Sequence, residues 1–311
     1  MIDVVAVGEV LIDLIATERN VTLFAAPAFV PFPGGAPANV AVGVARLGHS
    51  AAFIGKVGRD EFGQGLRGLL AREGVLTQGL LDDADQLTTL AAVSVATNGD
   101  PHFAFFAGAH ANLRAEDLDH DLLANARIVH GGSVMLAREP GRAATLAAWE
   151  IGRTAGAMCA YDVNWRPALW PNAAAGVAIV RAPLAFADIV KMNAAEVQLL
   201  TGIAEPRAGL AALATPAALV VVTLGGAGCL YRLGNEITAV AAPPVAEVVD
   251  ATGAGDAFMA ALLAGLPDHP ARLGTDAITA AVGRACRAGA IAVTRRGAIP
   301  ALPTATELDH V

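Results

Sequence analysis

Short apolar runs alternate with amphipathic segments along most of this chain. The runs are rich in β-branched residues and read "VVAVGE", "AAFIGKVG", "RIVHGG", "AMCAYDV", "ADIVKMN" and "ALVVVTLGG". Continuously apolar runs of this length are typical of parallel strands buried on both faces. The segments between them have helical spacing, as in "PANVAVGVARLG", where Val40, Val44 and Leu47 share one face and Gly48 ends the helix. The alternation predicts a three-layer α/β/α fold around a mostly parallel sheet.

One region departs from this alternation. The stretch "TTLAAVSVATNGDPHFAFFAG" predicts two strands joined at Asn98-Gly99, a dipeptide typical of tight hairpins. With "LIDLIATE" and "LFAAPAFVPF" these strands are predicted to form a small second sheet. Such a sheet is a natural lid, although an ordinary antiparallel edge fits the pattern equally well. We predict one domain over 1–311, with a β lid from about 11–33 and 88–108.

Composition and segment patterns exclude several classes of protein. A net charge of -8 excludes an overall basic field for nucleic acid, although a small anion could still be held locally. The uncharged segment 208–231 is interrupted by Pro216, so a short helix and a buried strand are predicted there, not a membrane span. The three cysteines form no C-x-x-C, and the N-terminus has the pattern of a strand, so we expect a cytoplasmic protein.

The best-known nucleotide-binding motifs do not fit. A P-loop needs Gly-Lys followed by Ser or Thr, but Lys56 precedes Val57 and Lys191 follows Val190, and the chain has no other lysine. A G-x-G-x-x-G is present in "GQGLRG" at 63–68, but it lies inside a predicted helix with no strand before it. These glycines are predicted to be close-packing positions, which argues against a dinucleotide site.

The stretch "VVDATGAGDAF", residues 248–258, carries the strongest chemical signal. It lies between strand-like "VAEVV" and the apolar "AFMAALLAGL", so Gly253, Ala254 and Gly255 are predicted to form a turn into a helix. Backbone N–H groups at a helix N-terminus lack partners, and the helix dipole favours negative charge there. A turn with almost no side chains lets an anion contact these amides directly.

Asp256 follows this turn immediately. It could be a structural N-cap, but a cap does not need Gly-Ala-Gly before it. A carboxylate beside an anion-binding turn can accept the proton of a hydroxyl that attacks a phosphoryl group. We expect the helix N-terminus to keep Asp256 ionised, with a low pKa.

Two more segments predict contacts to a polar ligand near the start of the chain. In "PGGAPAN", Gly34 and Gly35 predict a turn that a ligand can approach closely, and Asn39 offers amide hydrogen bonds. The alternative is a simple Pro/Gly turn before a helix. Asp13 lies in the apolar strand "LIDLIA", where a lone carboxylate is costly unless it is paired.

The stretch "DVNWRPALW" follows another predicted strand. Asp162, Asn164 and Arg166 lie at its C-terminal end, where α/β proteins bind ligands, and alternate residues are predicted to face the same way. The alternative is a surface turn set by Pro167.

Taken in chain order, these motifs resemble the ribokinase-type (PfkB) carbohydrate kinase family. The resemblance extends from "GEVLID" to "AVTRRGAIPALP", with "PGGAPAN" similar to the N-terminal signature and "DATGAGDAF" similar to the C-terminal one. Ala36-Pro37 is most similar to fructokinases. The resemblance implies a Rossmann-like body with a β-sheet lid that often pairs two subunits.

The resemblance also implies roles for individual residues. Asp256 would be the base, and Gly253, Ala254 and Gly255 would form an anion hole. The implied sugar-binding residues are Asp13, Gly34, Gly35, Asn39, Phe103 and Arg166. The implied nucleotide-binding residues are Asn193, Glu196, Thr223, Gly225 and Gly228, with Glu196 also ordering Mg²⁺ through water. The implied monovalent-cation residues are Asp250, Thr252, Val293, Arg296 and Gly297.

The implied activity is ATP-dependent phosphorylation of a primary sugar hydroxyl, with D-fructose favoured as the acceptor. The alternatives are 2-keto-3-deoxygluconate, ribose or a riboside, or, in other classes, a nicotinamide-dependent oxidoreductase or a non-catalytic binding protein. Ala107 stands where many fructokinases have arginine, which weakens the fructose assignment but not the kinase assignment. We expect ATP, Mg²⁺ and K⁺ as cofactors, a sugar as the ligand, no nucleic acid or membrane partner, and a homodimer through the lid.

Overall fold

The computed structural model describes residues 1–95 and 101–310, so the predicted turn at Asn98-Gly99 lies outside the described residues. The strands are β1 (Ile2–Val7), β2 (Leu11–Ala16), β3 (Phe29–Gly34), β4 (Ala51–Gly58), β5 (Leu80–Asp83), β6 (Leu90–Val95), β7 (Pro101–Phe106), β8 (Ala126–Gly132), β9 (Met158–Asp162), β10 (Ile189–Asn193), β11 (Leu219–Thr223), β12 (Cys229–Leu233) and β13 (Glu236–Val240). The α-helices are α1 (Ala36–Arg46), α2 (Glu61–Arg72), α3 (His120–Ala124), α4 (Gly141–Thr154), α5 (Ala173–Arg181), α6 (Ala194–Thr201), α7 (Pro206–Ala212), α8 (Ala254–Gly265), α9 (Thr275–Ala292) and α10 (Ala305–Asp309).

Nine strands form one large sheet in the order β13-β12-β11-β10-β9-β8-β1-β4-β5. The seven strands from β11 to β5 pair in parallel, and β12 and β13 add an antiparallel edge. Parallel strands bring their C-terminal ends to one edge of the sheet. This arrangement confirms the predicted α/β class and gathers the segments that follow the strands at one place.

Helices cover both faces of this sheet, and each face has its own apolar core. Along β1, Val4 and Ala6 pack into one core with α1, α8 and α9, whereas Val5 and Val7 pack into the other with α3 to α7. Alternate residues of a strand point to opposite faces, so a strand covered on both sides must be apolar throughout. The continuous apolar runs in the sequence reflect this requirement.

A second, smaller sheet has the strand order β3-β2-β6-β7. Strand β2 pairs antiparallel with β3 and parallel with β6, and β6 pairs antiparallel with β7. Its first two strands lie directly before α1, so Gly34 at the end of β3 leads into the predicted sugar-binding turn. That this sheet works as a lid stays a prediction.

Several local predictions were wrong or incomplete. Segment 241–250 is not a strand, although "VAEVV" within it was predicted to be one; its residues are mostly exposed or half-buried and pair with no strand among the described residues. Of the glycines at 63–68, Gly63 is a true close-packing position, because a Cβ there would lie 2.1 Å from the Gly58 carbonyl oxygen. By contrast, a Cβ at Gly65 would meet no described atom within 4 Å. In the described part of the chain, no helix is both long enough and apolar enough to cross a membrane.

Candidate active site

The predicted anion-binding bend lies at the N-terminus of α8. Gly253 is the N-cap residue in the left-handed conformation (φ 77°), and a Cβ there would lie 2.8 Å from the Ala298 Cα. The Ala254 amide donates to the Ala251 carbonyl at 3.3 Å, whereas the Gly255 and Asp256 amides find no acceptor among the described residues. The predicted turn into a helix is thus present, with two free N–H groups at the positive end of the helix dipole, although the Ala254 amide predicted to share this role is already bonded. That the bend binds an anion stays a prediction.

Asp256 is half-buried in the first turn of α8. Its Oδ2 accepts a hydrogen bond from Asn39 Nδ2 at 2.7 Å, which joins the bend to the first turns of α1. Burial raises the pKa of Asp256 above its usual value, and the Asn39 hydrogen bond and nearby Lys191 only partly oppose this. The expectation of a low pKa was therefore wrong, because desolvation outweighs the helix N-terminus. A raised pKa makes Asp256 a better proton acceptor.

The glycines of "PGGAPAN" allow two backbone segments to approach each other. Gly35 has φ 104°, and a Cβ there would lie 2.5 Å from the Glu9 carbonyl oxygen. A Cβ at Gly34 would lie 2.1 Å from Asp13 Oδ2. The structure therefore brings Asp13, Gly34, Gly35 and Asn39 together beside Asp256. Asn39 Nδ2 already donates a hydrogen bond to Asp256. The Asn39 amide group therefore orients the predicted base in addition to its predicted contact with the sugar.

Burial raises the pKa of two carboxyl groups in this region to about 7. Asp13 is in β2, paired through its backbone with β3 and β6, and its carboxyl group makes no hydrogen bond with another described residue. Glu9, which sequence reasoning missed, is 3% exposed; its Oε1 accepts the Ala36 amide at 3.1 Å and its Oε2 has no described partner. The sequence signal for Glu9 was a charged residue directly after a buried strand, in "GEVLID". The nearby Arg166 guanidinium lowers the pKa of both groups, but less than burial raises it.

The segment after β9 does not continue as the alternating strand predicted for it. The strand ends at Asp162, and Asn164 has φ 37°, so the chain turns sharply before Arg166. Asp162 is buried, whereas Arg166 is exposed and donates to the Trp165 carbonyl at 3.3 Å. Trp165 stacks on Trp170, with ring centroids 5.1 Å apart. The stacked rings fix the position of the segment that carries Arg166.

Asn193 and Glu196 form a capping box at the start of α6. Asn193 Oδ1 accepts the Glu196 amide at 2.9 Å, and Glu196 Oε2 accepts the Asn193 amide at 2.8 Å. The other carboxylate oxygen of Glu196 accepts the Trp165 amide at 2.7 Å. Glu196 therefore joins the start of α6 to the segment that carries Arg166. A role in ordering Mg²⁺-bound water stays a prediction.

Lys191 and Asp162 form a buried ion pair that sequence reasoning missed. Lys191 Nζ lies 2.8 Å from Asp162 Oδ2, and the two side chains are only 8% and 2% exposed. Lys191 also reaches the anion-binding bend, because a Cβ at Gly255 would lie 2.8 Å from Lys191 Nζ. Gly255 therefore lacks a side chain partly because this ammonium group occupies the space.

The predicted nucleotide loop follows β11. Thr223 is the last residue of that strand, and Gly225 (φ 58°) starts a 3-10 turn over Gly225–Ala227. Gly228 (φ 93°) passes so close to the next strand that a Cβ would lie 2.1 Å from the Val240 carbonyl oxygen. The loop lies at the same sheet edge as Asn193, because β10 and β11 pair Asn193 with Thr223. Binding of a nucleotide by these residues stays a prediction.

Asp250 organises the predicted cation loop. Its Oδ1 accepts the Thr252 amide at 2.9 Å and the Thr252 hydroxyl at 2.6 Å, while its Oδ2 accepts the Gly297 amide at 2.9 Å. The Val293 carbonyl accepts the amides of both Val249 and Asp250, which occupies both its lone pairs. The structure thus places Asp250, Thr252, Arg296 and Gly297 in one loop cluster but argues against the Val293 carbonyl as a cation ligand.

Phe103 lies in β7 of the small sheet. It is half-buried and stacks on Phe105, with ring centroids 6.0 Å apart. Alternate strand residues share a face, so this contact by itself indicates a packed aromatic pair. A sugar contact by Phe103 stays a prediction.

Comparison with protein families identifies the family to which this architecture belongs. The model of the pfkB family carbohydrate kinases matches residues 1–305. The chain belongs to this family. Membership confirms the prediction of a carbohydrate kinase and excludes a nicotinamide-dependent oxidoreductase.

Individual relatives match over almost the whole chain. Fructokinase-1 of Oryza sativa subsp. japonica is 42% identical over 310 residues, which cover 98% of this chain and 96% of the relative. Fructokinase-2 of Solanum lycopersicum is 40% identical over 309 residues, which cover 98% of this chain and 94% of the relative.

Solved structures show the same similarity. Fructokinase with bound ATP from Xylella fastidiosa has a TM-score of 0.90 at 31% identity, covering 100% of this chain and 98% of its own. A double-mutant fructokinase from Vibrio cholerae O395, in a form with fructose, ADP and potassium ion bound, has a TM-score of 0.88 at 33% identity, covering 99% of this chain and 97% of its own.

Proposed function

We propose that this protein transfers the γ-phosphoryl group of ATP to a primary hydroxyl of D-fructose, forming fructose 6-phosphate and ADP. The observation that carries the proposal is the half-buried Asp256 beside the free amides of the anion-binding bend. Fructokinases about 40% identical over nearly the full length support fructose as the acceptor.

The arrangement of the bend suggests how the transfer proceeds. The sugar hydroxyl oxygen attacks the γ-phosphorus and loses its proton to Asp256, while the bond to the bridging oxygen breaks and ADP leaves. Asn39 holds Asp256 Oδ2, so Oδ1 is the oxygen free to take the proton. The free amides of Gly255 and Asp256 stabilise the negative charge on the transferred group. Phosphoryl transfer depends mainly on positioning and charge stabilisation, and these groups contribute to both.

The acceptor region, defined as Glu9, Asp13 and Asp256, favours a neutral polyol. Three carboxyl groups there outnumber the two nearby cations, Arg166 and, beside Asp256, Lys191. Carboxyl groups accept hydrogen bonds from sugar hydroxyls but repel an anionic acceptor. This charge balance favours fructose over the carboxylated 2-keto-3-deoxygluconate. It does not distinguish fructose from ribose or a riboside.

ATP binding is proposed for the segment after β11, with Mg²⁺ and K⁺ as further cofactors. The described residues contain no group of three or more His, Cys, Asp or Glu side chains that could hold a metal. Mg²⁺ would therefore come with the nucleotide phosphates, with Asn193 and Glu196 contacting its water shell, and would neutralise phosphate charge. K⁺ would bind the loop held by Asp250, and the potassium-bound Vibrio cholerae relative supports this assignment.

We also propose a homodimer that forms through the small sheet. Val30 in β3 is 42% exposed and Phe106 in β7 is 58% exposed, so both outer strands present apolar side chains. Contact with a second copy would cover them. Sedimentation analysis tests this arrangement. We expect the wild type to sediment as a dimer and Phe106→Ser to sediment as a monomer.

The activity is tested by measuring ADP formation with a panel of neutral and acidic sugars. We expect the highest kcat/KM with fructose, and a rise in activity across a potassium titration. If ribose or 2-keto-3-deoxygluconate is used better than fructose, the acceptor assignment is wrong. If no sugar supports ADP formation, the proposed activity as a whole is wrong.

A further inference from the structure

The ion pair of Lys191 and Asp162 lies directly behind the anion-binding bend. Lys191 is in β10 and Asp162 in the adjacent β9, and their salt bridge is 2.8 Å long. An ammonium group has three N–H donors, and for Lys191 only the bond to Asp162 is found among the described residues. The remaining donors are next to Gly255, where a Cβ would lie 2.8 Å from Nζ.

This ion pair has a direction. Asp162 lies on the side of β8, near the buried His130, and its Oδ1 has no partner among the described residues. Lys191 lies on the side of α8. The pair is therefore a buried dipole with its positive end next to the bend, where the positive end of the α8 dipole also lies.

Stability alone does not explain a buried ion pair here. Removing two charges from water is expensive, and apolar residues of similar volume are often as good or better for stability. Moreover, Lys191 is also near the carboxyl groups of Glu196 and Asp256, so the pair belongs to a cluster of charged groups beside the bend and not to the apolar cores of the sheet. The placement of this pair against free amides gives it a use that an apolar pair would lack.

The residue type at position 191 also favours a role in the site. The chain has only two lysines among 21 lysine and arginine residues, and one of them is Lys191. A guanidinium is planar and larger, whereas an ammonium is a compact point charge. The Lys191 ammonium group lies 2.8 Å from Asp162 Oδ2 and next to the backbone of Gly255.

We propose that Lys191 stabilises the negative charge of the phosphoryl group during its transfer, acting from behind the bend at residues 253–256 and oriented by Asp162. This inference rests on the proposed kinase activity. It assigns to the bend a full positive charge in addition to its two amides. In a site shielded from water, such a preorganised charge has a large effect on the rate.

The test compares Lys191→Met with the double variant Lys191→Met/Asp162→Leu and with a matched control, Lys56→Met. Lys56 also forms a single ion pair, with Asp117 at 2.7 Å, but away from the bend. We expect Lys191→Met to lower kcat about 10²–10³-fold, the usual effect of losing one charge-stabilising group, with the KM for fructose changed less than about threefold. Lys56→Met should retain wild-type kcat.

The double variant separates charge stabilisation from packing. If the ion pair is only structural, replacing both charges with apolar groups should restore kcat; if Lys191 acts on the phosphoryl group, kcat should stay about 10²–10³-fold low although the protein folds. Binding of ADP with aluminium fluoride, a mimic of the transferring group, should weaken far more than binding of ADP alone. Recovery of kcat in the double variant, or equal weakening of both ligands, would overturn the proposal. A wild-type enzyme without sugar kinase activity would instead refute the proposed function.

Discussion

The carboxyl groups of the acceptor region and the carboxylate of the cation loop are held in opposite ways. Burial raises the pKa of Glu9 and Asp13 to about 7, and these groups have few or no hydrogen-bond partners. Burial also raises the pKa of Asp250. Hydrogen bonds from Thr252 and Gly297 lower that pKa by more, so it lies below its usual value. Three donors already bind Asp250 within the protein.

This difference distinguishes carboxyl groups that bind a ligand from a carboxylate that stabilises a loop. A buried carboxyl without partners is costly, and it persists where a ligand completes its hydrogen bonds. A carboxylate that accepts three hydrogen bonds stabilises the backbone around it instead. We expect substitutions in the acceptor region to reduce activity more than stability, and substitution of Asp250 to reduce stability first.

The largest expected effect is that of Asp256→Asn. The amide has the same shape, and its oxygen can still accept the Asn39 hydrogen bond, but it cannot take a proton. We expect kcat to fall about 10²–10⁴-fold while the melting temperature changes little. Steady-state kinetics with fructose and a thermal scan measure both. A variant with wild-type kcat would remove Asp256 as the base.

The next effect concerns Glu9 and the pH dependence of stability. Its pKa rises from 4.5 to about 7 on folding, so the folded protein binds more protons than the unfolded chain between these values. Stability is therefore lost as the pH rises from about 4.5 to 7, by ~3 kcal/mol from this group. Glu9→Gln removes the titration but keeps an oxygen for the Ala36 amide.

Urea unfolding at pH 5 and pH 8 compares the two proteins. We expect Glu9→Gln to lose less stability than the wild type between these conditions. Parallel pH dependences for the two proteins would show that Glu9 does not titrate in this range.

Asp13→Asn should act on sugar binding. If Asp13 accepts fructose hydroxyls, the loss of a charged acceptor costs about 1.5–3 kcal/mol. We expect kcat/KM for fructose to fall about 10–100-fold, with the KM for ATP unchanged. Asp82→Asn is a suitable control, because Asp82 pairs with Arg67 in another part of the protein. A rise in the KM for ATP alone would place Asp13 on the nucleotide side.

The smallest expected effect is that of Asp250→Asn, which places an amide nitrogen or oxygen where three donors converge. We expect a loss of about 1–2 kcal/mol in the free energy of unfolding and a weaker response to potassium. Because the pKa of Asp250 is lowered, its stabilisation is present above the usual value of 3.8 and is lost as the pH falls through the folded value. Urea unfolding at pH 7 checks the effect, and unchanged stability would contradict the comparison.

Predictions from the sequence were best where one local segment carries its own physical reason. The turn at Gly253 into a helix could be read from "DATGAGDAF" alone, and α8 begins at Ala254. Predictions were poorest where the reason lies in distant residues. The pKa of Asp256 depends on burial and on Asn39, which is 217 residues away in the sequence, so its direction could not be read from the helix N-terminus.

The sequence by itself determined the parallel α/β body, the family and the bend, because hydrophobic period, glycine conformation and motif order are local properties of the chain. Only the tertiary structure decided what surrounds the bend. Lys191, Asp162 and Gly255 come from separate segments, and they meet only because parallel strands end at one edge of the sheet. The burial that raises the pKa of Glu9 and Asp13 is likewise produced by packing between segments, since desolvation depends on neighbours that the local sequence does not name.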